Sequence, residues 1–121
     1  MASLRVQMHV EWAVPSGQAP RVTAALQSIM AATRRQSGCL ACFLSTEAGD
    51  CVKLSYQETW QDEEHLKRQV GSERFTSLAG LVEQGTNPPR FEFSLPSGTR
   101  GLDYAEDVRV APVRHRPTAA R

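Results

Sequence analysis

Cysteine, net charge and long apolar runs are all scarce in this chain of 121 residues. No apolar run approaches the roughly 20 residues that a membrane-crossing helix needs. The N-terminus has neither the basic segment nor the apolar core of a secretory signal. A cytoplasmic protein with no membrane partner is the expectation. The formal net charge is +1, too small a field to gather nucleic acid or anionic lipid. Cofactor signatures are also missing: no G-x-G-x-x-G, no P-loop, and no His/carboxylate triplet at ligand spacing. Neither a cofactor nor a metal site is expected.

The three cysteines form an odd count, which argues against a disulfide framework. Cys39-Leu40-Ala41-Cys42 reads as C-x-x-C, but it falls in a segment with strand character. An offset of three along a strand sends the two thiols to opposite faces. No second pair exists to complete a zinc site. Free, buried or half-buried thiols are expected, with a redox pair as the alternative.

What the chain does have is ordinary globular composition, 40% hydrophobic and 22% charged, and enough length for one domain. Leu4, Val6, Met8, Val10, Trp12 and Val14 alternate with Arg5, Gln7, His9 and Glu11, the period of a strand with one apolar and one polar face. Pro15-Ser16-Gly17 breaks it. Pro20 suits the first turn of a helix, in which Val22, Ala25, Leu26, Ile29, Met30 and Thr33 form a stripe at helical spacing. Gly38 is the expected stop. Cys39 to Thr46 and Cys51 to Trp60 read as two strands joined by the turn-like Glu47-Ala48-Gly49-Asp50. Asp62 caps a helix whose first turn carries Glu63 and Glu64. Glu63 with Lys67 and Glu64 with Arg68 mark its solvent side. Leu66 and Val70 therefore point inward, and Gln69, a polar residue, falls near the middle of the same arc. Gly71 interrupts the helix, Ser72 recaps it, and Phe75, Leu78, Leu81 and Val82 form the next buried stripe. After Asn87-Pro88-Pro89, the alternation of Phe91, Phe93 and Leu95 gives a fourth strand.

The order β-α-β-β-α-β is that of an α+β, ferredoxin-like fold, an antiparallel sheet with both helices on one face. Residues 1–96 are assigned to this domain. Residues 97–121 form a C-terminal extension: a loop, an extended arm over residues 102–110, and a disordered end from about Pro112.

Ser37-Gly38-Cys39-Leu40, Tyr56-x-Glu58-x-Trp60 followed by Asp62-Glu63-Glu64, and Ser72-x-x-Phe75 resemble the antibiotic biosynthesis monooxygenase domain, over roughly Leu4 to Leu95. The resemblance implies a homodimeric α+β barrel whose pocket lies between helices and sheet. It implies cofactor-independent oxidation of a planar aromatic or quinol-like small molecule by dioxygen. In such an enzyme an apolar site excludes water and a base takes the substrate proton. Gln69 stands where many members have histidine, and glutamine cannot act as a base. The candidate catalytic residues are therefore His65, Glu58 and Gln69, and the candidate substrate-binding residues Trp60, Tyr56, Trp12, Met8 and Phe75. A non-catalytic dimeric ligand-binding module of the same fold stays open, as does, third, a haem-degrading enzyme.

Overall fold

A computed structural model describes residues 5–114 of the chain, with side chains through Val110. Its strands are β1 (Val6–Pro15), β2 (Cys39–Glu47), β3 (Cys51–Trp60), β4 (Arg90–Leu95) and β5 (Gly98–Arg100). Its helices are α1 (Ala19–Arg34), α2 (Glu63–Val70), α3 (Glu73–Val82) and α4 (Leu102–Arg114). The sheet has five strands in the order β2-β3-β1-β4-β5, with every neighbour antiparallel. The central strand β1 places the apolar side chains Val6, Met8, Val10, Trp12 and Val14 on the covered face, buried at every position, because strand side chains alternate. Leu54, Tyr56, Glu58 and Trp60 of β3 and Phe93 of β4 join them. Helices supply Val22, Leu26, Ile29 and Met30 from α1, Leu66 and Val70 from α2, and Phe75, Leu78 and Val82 from α3. The opposite face carries Gln7, His9 and Glu11 beside Thr59, Gln57 and Ser55, with His9 Nε2 2.7 Å from Ser55 Oγ.

Local signals act where the sequence places them. The Asp62 carboxylate accepts from the His65 amide at 3.0 Å, and Ser72 accepts from the Phe75 amide at 3.4 Å, so both helix starts are capped. The first helix ends at Arg34 rather than running on to Gly38. Gly38 instead takes a φ of +85° in the turn into β2, a conformation that side chains with a Cβ rarely adopt.

Three expectations are corrected. Residues 98–100, read as loop, form β5 and pair with β4, Leu95 opposite Gly98 and Phe93 opposite Arg100. The segment 102–110, read as an extended arm, is helical. Tyr104 and Ala105 of α4 are buried, and the Tyr104 ring lies 4.9 Å from that of Phe93. That contact anchors the helix on the same covered face. The helix runs through Pro112 to Arg114, where disorder was expected; residues 115–121 lie outside the described residues. The third correction concerns the cysteines. A bulge between Cys39 and Ala41 shifts the register, so that Cys39 faces Trp60 and Cys42 faces Glu58. Residues directly opposite share a face, and Trp60 and Glu58 are on the covered one. The extra residue of the bulge restores the parity that an offset of three had removed. The two thiols thus lie on one side of the strand, and all three cysteines are free.

Candidate functional site

Strand periodicity brings Tyr56, Glu58 and Trp60 to one face of β3, and the inward arc of α2 brings Gln69 over them. Tyr56 Oη donates to Glu58 Oε2 at 2.6 Å. Trp60 Nε1 donates to Oε1 at 2.9 Å, and Gln69 Nε2 donates to Oε2 at 3.1 Å. Glu58 is 0% exposed, and Tyr56, Trp60 and Gln69 are no more than 1% exposed. Cross-strand neighbours complete the surroundings: Met8 on β1 and Cys42 on β2 both stand opposite Glu58.

The cluster extends outward in two directions. Cys42 donates its thiol hydrogen to Tyr56 Oη at 3.4 Å. On the other side, Gln69 Nε2 also reaches Thr33 Oγ1 at 3.0 Å, while Arg74 Nε donates to Gln69 Oε1 at 2.8 Å across the break between α2 and α3. Every polar atom of the inward amide has a partner, which explains how Gln69 can occupy a core position.

Burial is the largest influence on the Glu58 carboxyl and pushes its pKa up. Hydrogen bonds from Tyr56, Trp60 and Gln69, and the charge of Arg74, pull in the opposite direction without restoring the ordinary value. Burial, followed by the charge of Glu58, also drives the Tyr56 phenol far above its usual range, so it remains a donor. Burial pushes the Cys42 thiol up to about 11. Chemically, the cluster is a carboxyl group that can hold a proton, contacted by three donors in an otherwise apolar interior.

The other sequence candidates lie elsewhere. His65 does not join Glu58: its Nδ1 lies 2.6 Å from Asp62 Oδ1, and its ring packs over Gly38. A Cβ at Gly38 would come within 2.4 Å of His65 Cδ2. Met8 is fully buried beside the carboxylate. Trp12 lies farther along β1, opposite Leu54. Its indole N–H is buried with no hydrogen-bond partner among the described residues. Phe75 lines a separate groove with Phe91 and Arg109. Sequence reasoning missed Thr33 and Cys42 as members of the cluster, and Arg74 altogether. Thr33 did carry a signal, as the one hydroxyl in the buried stripe of α1.

A family model for antibiotic biosynthesis monooxygenases matches residues 5–79, a span that holds every candidate residue. The chain belongs to the antibiotic biosynthesis monooxygenase family. No curated relative matches it in sequence. Among solved structures, Rv0793 from Mycobacterium tuberculosis is 21% identical with a TM-score of 0.64, over 76% of this chain and 94% of that one. A conserved protein from Methanosarcina mazei Go1 is 17% identical with a TM-score of 0.65, over 74% and 90%. A structure named antibiotic biosynthesis monooxygenase is 19% identical with a TM-score of 0.63, over 73% and 94%. At these identities the likeness carries the family's ferredoxin-like fold and leaves the reaction to be argued from the site. No helix among the described residues is long and apolar enough to cross a membrane.

Proposed function

We propose that this member of the family binds a planar aromatic or quinol-like molecule between its helices and its sheet and oxidises it with dioxygen, using no resident cofactor. The observation that carries the reading is Glu58, a carboxyl with a raised pKa held in an apolar interior. A structural core has no need of such a group, whereas proton abstraction near neutral pH does. In this scheme Glu58 takes a proton from the substrate, and the electron-rich anion that results passes an electron to dioxygen. For an anthrone-like substrate a methylene becomes a carbonyl, and the second oxygen atom leaves as water. Tyr56 and Trp60 contact the ring, and Gln69 orients it. Substrate reaches Glu58 by opening of the elbow between α2 and α3, where Arg74 and Gln69 part. The working unit in this proposal is a homodimer formed through the outer face of the sheet.

One observation favours a second reading, a non-catalytic binding module. Glu58 already accepts three hydrogen bonds, and its neighbours leave it no exposed surface. Haem chemistry draws no such support, since Gln69 offers no imidazole at the matching position.

Oxygen consumption over a panel of reduced quinols and anthrones separates the readings. The oxygenase predicts turnover above the uncatalysed rate, reduced about a hundredfold or more in a folded Glu58→Gln protein. Silence across the panel, or full turnover in Glu58→Gln, would instead support the binding module or remove Glu58 from the chemistry.

A further inference from the structure

A groove of about 440 Å³ lies between α3, α4 and β4, within the roughly 300–1,000 Å³ typical of small-molecule sites. Two of its three walls, α4 and β4, lie beyond the residues matched by the family model. Phe91, half-buried, forms the floor, and Phe75, Ala79, Val82, Leu102 and Ala105 form the apolar sides. No residue of the Glu58 cluster lines it.

The polar groups stand at its ends. Arg109 donates from Nη1 to the Val70 carbonyl and from Nη2 to Thr76 Oγ1 at 2.7 Å. Its guanidinium carbon lies 5.6 Å from the centre of the Phe75 ring. A guanidinium carries five N–H groups, so three remain unused, and Arg109 makes no ion pair among the described residues. These contacts fix the fork in place before any ligand arrives. Glu83, at the other end of α3, follows Thr76 by seven residues, about 10 Å along a helix. Glu106 also lines the groove, one turn before Arg109 on α4. With carboxylates nearby, recognition rests on directed guanidinium hydrogen bonds rather than on net charge.

We propose that this groove binds an elongated aromatic carboxylate or sulfonate. The anionic group sits on the free N–H groups of Arg109, where the planar fork can hold two oxygens at once. The flat body packs on Phe75 and Phe91, and a hydroxyl at the far end donates to Glu83.

The test uses the full chain and two fluorescent probes of similar shape: anionic 1-anilinonaphthalene-8-sulfonate and uncharged N-phenyl-1-naphthylamine. Both bind saturably to the folded wild type. Arg109→Gln, with unchanged far-UV circular dichroism, weakens the sulfonate about tenfold or more and the neutral dye by less than about twofold. Gly80→Leu fills the groove from a helix position where a Cβ meets nothing within 4 Å, and it removes both signals. Displacement by 4′-hydroxybiphenyl-4-carboxylate exceeds that by biphenyl-4-carboxylate, and Glu83→Gln erases the difference. Absence of saturable sulfonate binding, equal losses for both dyes in Arg109→Gln, or full binding in Gly80→Leu would overturn the site. Equal displacement by the two biphenyls would overturn the assignment of Glu83.

Discussion

Glu58, an acid, and Arg109, a cation, are placed in opposite settings. Both oxygens of Glu58 are engaged by donors and its exposure is zero. Arg109 opens into a groove with part of its guanidinium unused. The first region has a fully buried carboxyl that lines none of the grooves described; the second has free volume, but its carboxylates, Glu83 and Glu106, are exposed. Activity of the family's type requires that the first region open, while simple binding can use the second as it stands. Experiments that disturb one region without the other therefore discriminate between catalyst and binder.

The largest effect is expected at the closed region. Glu58→Ala strands the phenol of Tyr56, the indole N–H of Trp60 and one hydrogen bond of Gln69 in a dry interior, and leaves a cavity as well. Each buried donor left unsatisfied costs about 1–3 kcal/mol and the cavity adds to it, so a total loss of about 3–5 kcal/mol is expected. Urea unfolding should register this as a lower midpoint with unchanged slope. A loss below about 1 kcal/mol would mean that water already reaches the carboxylate and that the region is open in solution.

The pH dependence of stability sharpens the same point. Burial raises the Glu58 pKa above the ordinary carboxyl value of 4.5, so the native state keeps a proton that the unfolded chain has released. Its contribution to stability is therefore fullest below about pH 4.5 and falls as pH rises through the folded pKa. In Glu58→Gln this dependence is absent. Unfolding free energies of both proteins, from about pH 4 to about pH 9, should differ by an amount that shrinks or changes sign as pH rises. A constant difference would show that Glu58 titrates alike in both states.

Tyr56→Phe is a milder cut. It removes one donor to Glu58 and the acceptor of the Cys42 thiol while keeping the ring that packs in the core. A cost of about 1–3 kcal/mol follows from the unsatisfied groups. Cys42 should then react more slowly with a thiol reagent, and well after the exposed Cys51, because the hydrogen bond with Tyr56 holds its pKa down against burial. An unchanged Cys42 rate would show that the packing of the edge strand, rather than the hydrogen bond, sets its reactivity.

The two regions also differed in how far the sequence disclosed them. Tyr56, Glu58 and Trp60 lie on a strand with unbroken alternation, so their shared face followed from parity, and the inward arc of α2 placed Gln69 correctly. The partners of Gln69 could not be read this way. Arg74 approaches across a helix break, and no periodicity predicts the angle at which α3 leaves Ser72. The cysteines failed for a related reason: a bulge changes parity by one and leaves no mark in composition. In what proves to be α4, the sequence from Leu102 to Val110 reads as an extended segment. Yet Leu102 and Val110 are each 42% exposed, whereas Tyr104 and Ala105, with Val108 packed against the core, give the helical spacing that burial selects. Three-residue β5 is too short to show any period.

The smallest effect is expected at the open groove, and its sign is favourable. Gly80 sits inside α3, and apart from its own helix backbone no atom of the described residues lies within 4 Å of the position a Cβ would take. Glycine costs about 0.5–1 kcal/mol relative to alanine within a helix, because the unfolded chain loses more freedom on folding. Gly80→Ala should therefore stabilise the protein by about that amount, detectable as a raised unfolding midpoint. It should leave oxygen consumption untouched if turnover belongs to Glu58, because the groove and the cluster share no lining residue. If Gly80→Ala instead lowered turnover in step with dye binding, substrate would have to pass through the groove. The separation drawn between the two regions would then give way to a single site, with Arg109 at its entrance and Glu58 at its end.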